Sequence, residues 1–123
     1  MTKTHFYHPA ALLVHVPDVE AGLNWYKRAF PDAVPVYLEQ CDFTVLEING
    51  FSLEIVQADE KVKSGKAGSV LYWSVPNLPK AILHFENIGA KLYRGPMEIE
   101  GGVVMCQVED PFGNLIGLRS HPG

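Results

Sequence analysis

Two stretches of this chain, 59 residues apart, carry the same pattern. Leu12-Leu13-Val14-His15-Val16-Pro17-Asp18-Val19 and Leu71-Tyr72-Trp73-Ser74-Val75-Pro76-Asn77-Leu78 align without a gap. An internal period of this kind constrains a fold strongly, because each copy must be the same supersecondary unit. In both copies a mainly apolar run stops at Val-Pro and meets Asp or Asn. Proline holds the valine before it extended, and the Asp or Asn side chain can cap a helix.

The offset continues into the segments that follow. Val19, Leu23, Tyr26 and Phe30 recur at helical spacing, and Leu78, Ile82 and Phe85 repeat it. Each set predicts a helix with one buried stripe. Glu20 near the start of the first and Lys27-Arg28 near its end suit the helix dipole. Pro79 in the first turn and Gly89 just past the end bound the second.

The ends of the halves match at an offset of 63, where Gly50-Phe51-Ser52-Leu53-Glu54-Ile55 corresponds to Gly113-Asn114-Leu115-Ile116-Gly117-Leu118. The difference places four extra residues in the second half, around Glu98 to Gly102. Two β-like runs fill each gap between helix and final strand. Asn49-Gly50 signals a two-residue hairpin, and Asp110-Pro111-Phe112-Gly113-Asn114 a longer turn at the equivalent place.

The reading is an α+β fold of tandem βαβββ units in a single domain, 1–123. The modules cover about 10–57 and 69–119, joined by an exposed linker at 58–68. Strands are expected near 10–16, 34–39, 43–48, 51–57, 69–75, 90–98, 103–109 and 114–119, and helices near 18–29 and 77–88. A pocket for a small molecule is expected between the halves.

Composition narrows the function classes. The net charge of −4 disfavours nucleic acid, whose phosphates want a basic face. No run of ~18 apolar residues could span a membrane, and Met1 to Pro9 does not read as an export signal. Cys41 and Cys106 form no metal-type or redox-type pair, so reduced thiols in the cytoplasm are expected. Gly101-Gly102 reads as a hairpin tip and not a phosphate loop, and no serine-nucleophile motif occurs.

The βαβββ–βαβββ order, the segment Leu23-Asn24-Trp25-Tyr26-Lys27-Arg28-Ala29-Phe30 and Glu109-Asp110-Pro111-Phe112-Gly113-Asn114 resemble the glyoxalase/bleomycin-resistance/dioxygenase family, the vicinal oxygen chelate superfamily. The resemblance spans about Ala10 to Arg119. It implies mixed sheets curled around a cavity and a homodimer. In the metal enzymes it also implies up to four ligands, His or Gln on the first strand and Glu on the last strand of each half. The corresponding residues here are Ala11, Val70, Glu54 and Gly117. Three of these have no donor atom, and a catalytic ion typically needs three protein ligands. The resemblance thus implies a binding protein with no cofactor, similar to the bleomycin-resistance branch, more readily than an enzyme. The alternatives are a divalent-metal lyase, isomerase or dioxygenase with substitute ligands, and a metal-free enzyme using Glu54 or His15 as base.

Strand alternation selects the remaining candidates. His15 shares a face with Ala11, and Tyr72 and Ser74 share one with Val70. Arg119 shares one with Gly117, and Met105 is a further candidate for ligand contact. Glu54 is the central residue: a carboxylate facing a cavity needs a ligand or a cation, and Arg119 is the candidate ion-pair partner. Trp25 and Tyr26 are expected in the core, Trp73 beneath the second helix, and Cys106 facing away from the pocket. His5, His8, His84 and His121 are expected at the surface or in the tails.

Overall fold

The computed structural model describes residues 8–122. The element order is β1 (Ala11–Val16), α1 (Val19–Ala29), β2 (Val34–Leu38), β3 (Phe43–Ile48), β4 (Phe51–Gln57), β5 (Tyr72–Ser74), α2 (Leu78–Asn87), β6 (Lys91–Glu98), β7 (Val104–Glu109) and β8 (Leu115–Ser120). The four extra residues of the second half include a short 3₁₀ turn at Glu100–Gly102. His5 lies outside the described residues.

The repeat is visible in the sheets. One is ordered β1-β4-β3-β2 and the other β5-β8-β7-β6, and neither closes. In each, the first strand of the half runs parallel to the last, and the other pairings are antiparallel. The outer strands β2 and β6 each contain a proline, Pro35 and Pro96, and β6 is further broken by two register shifts. Proline is tolerated there because an edge strand has no second neighbour to supply with N–H groups.

Local chemistry sets the helix ends as expected. Asp18 and Asn77 accept from the backbone N–H three residues on, at 3.2 and 3.0 Å. Asn49 and Gly50 have φ of 50° and 80°, the positive pair that a tight two-residue hairpin needs. That turn pairs Ile48 with Phe51 and Glu47 with Ser52.

One face of each sheet packs on its helix, and both halves share one hydrophobic cluster. Val14, Val16, Leu46, Leu53 and Ile55 come from the first sheet, and Cys106, Val108, Ile116 and Leu118 from the second. Trp25 and Tyr26 are buried between the halves, where each large side chain withdrawn from water contributes about 1.5–3 kcal/mol. The Trp25 indole N–H donates to the Ile88 carbonyl at 2.6 Å, joining α1 to the end of α2.

Four details differ from the sequence reading. The fifth strand is only Tyr72–Ser74, so Val70 precedes it; Gly68, at φ 90°, breaks the extended run just upstream. Trp73 packs against Phe30, at 4.5 Å between ring centroids, and against Phe51, so its main partner is the end of α1 and not α2. His84 is half-buried, with Nε2 3.0 Å from the Ala29 carbonyl, because the two helix ends converge there. The linker is pinned at two points, by Lys66 to Glu109 at 3.0 Å and by the Gly65 N–H to Asn114 Oδ1 at 2.8 Å.

Candidate functional site

The sheet faces turned away from the helices carry the candidate residues. Residues directly opposite in paired strands share a face. In the first sheet Ala11 lies opposite Ser52, and Leu13 opposite Glu54. Glu47, opposite Ser52 on the other side, joins them. This open face holds a groove of about 300 Å³ with an apolar wall of Val36, Leu38, Val45 and Phe51 and the two carboxylates Glu47 and Glu54. Glu54 is half-buried and accepts a hydrogen bond from the Ser52 hydroxyl at 2.8 Å.

In the second sheet the open face carries the row Arg94, Gln107, Gly117 and Tyr72, followed by Met97, Met105, Arg119 and Ser74. The Tyr72 ring lies directly over Gly117. A methyl group added at Gly117 would sit 2.6 Å from the ring carbons, so a larger residue fits only if the ring moves. The Gln107 amide donates to the Tyr72 hydroxyl at 2.8 Å, and the Arg119 guanidinium lies 4.7 Å from the ring centroid. Met105 is buried beside this group, while Ser74 is exposed. Cys106 is fully buried on the opposite face, and burial pushes its thiol up to about 11.

The expected site residues thus fall into three places. Glu54 is in the groove of the first sheet. Tyr72, Ser74, Met105 and Arg119 are on the second. His15 lines a separate cleft of about 160 Å³ at the seam between the halves, with Leu12, Val14, Trp73 and Ile116 in its floor and wall. The seam cleft is a pocket between the halves, yet it does not contain Glu54. Among the described residues Glu54 and Arg119 form no ion pair; they sit on separate sheets of one chain, and Lys66–Glu109 is the pair within 4 Å. His8 and His121 are exposed, as expected.

Sequence reasoning missed Glu47 and Gln107. Glu47 was accessible from the hairpin: a two-residue turn at Asn49-Gly50 forces Glu47 opposite Ser52, two positions from Glu54. It also missed the link between Tyr26 and Asp110. Asp110 is 3% exposed and accepts from the Tyr26 hydroxyl and from the N–H groups of Phe112 and Asn114. Burial raises the Asp110 pKa, and these hydrogen bonds partly offset the rise.

The metal-ligand positions do not fit an ion. Ala11, Val70 and Gly117 offer no donor, and the Tyr72 ring fills the space a longer side chain at 117 would need. Among the described residues no cluster of three or more His, Cys, Asp or Glu side chains could hold a metal.

No family model and no curated protein matches this sequence. The fold, however, is that of solved glyoxalase/bleomycin-resistance/dioxygenase proteins. The chain is similar to an integron cassette protein from the mobile metagenome of V. cholerae, at 20% identity and TM-score 0.76, over 98% of this chain and 100% of that one. It is similar to a glyoxalase/bleomycin resistance protein/dioxygenase family enzyme from Burkholderia phytofirmans PsJN, at 17% identity and TM-score 0.74, over 92% and 98%. A glyoxalase-related enzyme from Fulvimarina pelagi superposes at 20% identity and TM-score 0.73, over 95% and 90%. No helix of the described residues is long and apolar enough to cross a membrane.

Proposed function

We propose that this protein binds a small organic molecule in a metal-free cavity, in the manner of a bleomycin-resistance-type binder, and that the groove beside Glu54 receives a cationic or hydrogen-bond-donating part of it. The groove itself carries this reading. A half-buried carboxylate in an apolar wall gives up part of its hydration, and among the described residues the Ser52 hydroxyl is the donor that meets it. Glu47 adds a second negative charge to the same groove.

A second copy of the chain completes the cavity in this reading. The open faces carry exposed apolar side chains, including Leu13, Val34 and Leu38 on the first sheet and Met97 on the second. A two-fold dimer buries these apolar side chains on both copies. The free thiols Cys41 and Cys106 suit a cytoplasmic setting.

Calorimetry with benzamidine and its neutral counterpart benzamide tests the ligand reading. Glu54→Gln is expected to keep the fold and weaken benzamidine by about 1.5–3 kcal/mol, the scale of a charge-assisted hydrogen bond. Benzamide is expected to change much less. Equal effects on both ligands would remove Glu54 from the site.

A further inference from the structure

Arg119 is a half-buried cation that the fold holds in place, with no anion beside it among the described residues. Among the described residues its Nε–H is the buried side-chain polar group without a hydrogen-bond partner, and none of their carboxylates lies within 4 Å of its guanidinium. Glu109 is on the same sheet but opposite Leu115, four residues or roughly 13 Å along β8, and it is held by Lys66. Holding a charged group at such a place costs free energy that a partner has to offset.

The surroundings restrict how Arg119 can move. The Tyr72 ring supports one face of the guanidinium, and that ring is itself fixed by the Gln107 amide at its hydroxyl and by contact with Gly117 beneath it. Nε is shut away, so it is the outer nitrogens of the planar group that a ligand would meet. A guanidinium presented in this way matches the two oxygens of a carboxylate. Ser74, directly opposite Arg119, adds an exposed hydroxyl, and Met105 with Met97 gives an apolar, polarizable surface beside it.

We infer that the open face of the second sheet is a carboxylate-recognition site, with Arg119 as the anion-binding group, Ser74 as a second donor, and the two methionines against an apolar or aromatic body. The ligand class is a small organic acid, or a molecule that carries a carboxylate at one end. This inference rests on reading the open sheet faces as ligand-binding surfaces, but it does not depend on Glu54.

Benzoate and benzamide are matched probes for the test, with benzamidine for the acidic groove. Native protein is expected to bind benzoate with shifts in the backbone amide signals of Tyr72, Ser74 and Arg119. Arg119→Gln is expected to weaken benzoate at least about tenfold and leave benzamide nearly unchanged. Glu54→Gln, in contrast, is expected to leave benzoate within about twofold. The inference fails if benzoate and benzamide bind alike, if Arg119→Gln retains the native benzoate affinity, or if benzoate shifts no signal on this face by about 10 mM. The shift map on native protein decides the matter even if Arg119→Gln does not fold. Loss of the benzamidine preference alone would overturn the role of Glu54 and leave the carboxylate site standing.

Discussion

The Tyr26 hydroxyl donates to the Asp110 carboxylate across 84 residues of sequence, tying the first helix to the turn before the last strand. Asp110 shapes that turn through the N–H groups of Phe112 and Asn114, and Asn114 in turn reaches the His15 carbonyl and the linker at Gly65. A single buried carboxylate therefore connects the helix of one half, the last turn of the other, and the segment that joins them.

Removing the hydroxyl should loosen that connection. Tyr26→Phe is expected to cost about 1–3 kcal/mol, because a buried carboxylate loses one of its donors while the ring remains packed. Urea unfolding of both proteins measures it. A difference under about 0.5 kcal/mol would mean that the bond contributes little.

Asp110 also gives the fold a pH dependence with a defined sign. Its pKa in the folded protein is raised, chiefly by burial, so the native state holds this proton more tightly than the unfolded chain. The resulting contribution to stability is full below the unfolded carboxylate value and is lost as pH rises through the raised folded value. The stability of the native protein minus that of Asp110→Asn should therefore increase as pH is lowered through this window, and be flat above it. A difference that falls on acidification would contradict the assignment.

Gly117 should tolerate no side chain while Tyr72 is present. Gly117→Ala is expected to destabilise by about 1–3 kcal/mol, as overpacking does, or to force the ring off its seat. In the Tyr72→Ala background the same change should cost much less. A double-mutant cycle read by thermal unfolding distinguishes this coupling from a simple backbone effect, which would appear equally in both backgrounds.

Protein dialysed without chelator is expected to carry far less than one equivalent of zinc, nickel, iron or manganese. Recovery of one of these near one equivalent, with its loss in Glu54→Ala, would favour a metal enzyme with ligands other than those at 11, 70 and 117.

The repeat was legible because its marks are local. Val-Pro followed by a capping residue, helical apolar spacing and Asn49-Gly50 each act within a few residues, and the structure places all of them where the spacing predicts. The faces of Glu54, Tyr72 and Arg119 were also legible, since strand alternation alone assigns them. Which faces share a cavity was not. That depends on how two sheets and two helices pack, and His15, Glu54 and Arg119 have the right parity yet occupy three places. The position of Trp73 against Phe30 was hidden for the same reason, because residues 43 apart in sequence meet only through the joint core.

Pro35 and Pro96 on the outer strands have a consequence for how copies of this chain can meet. Each lacks an N–H where a docking strand would need one, and β6 is kinked as well. Lateral growth of either sheet from these borders, the route to strand-swapped polymers and fibrils, is thereby discouraged. The two-fold dimer proposed above uses the broad apolar faces instead, and such an arrangement closes at two copies.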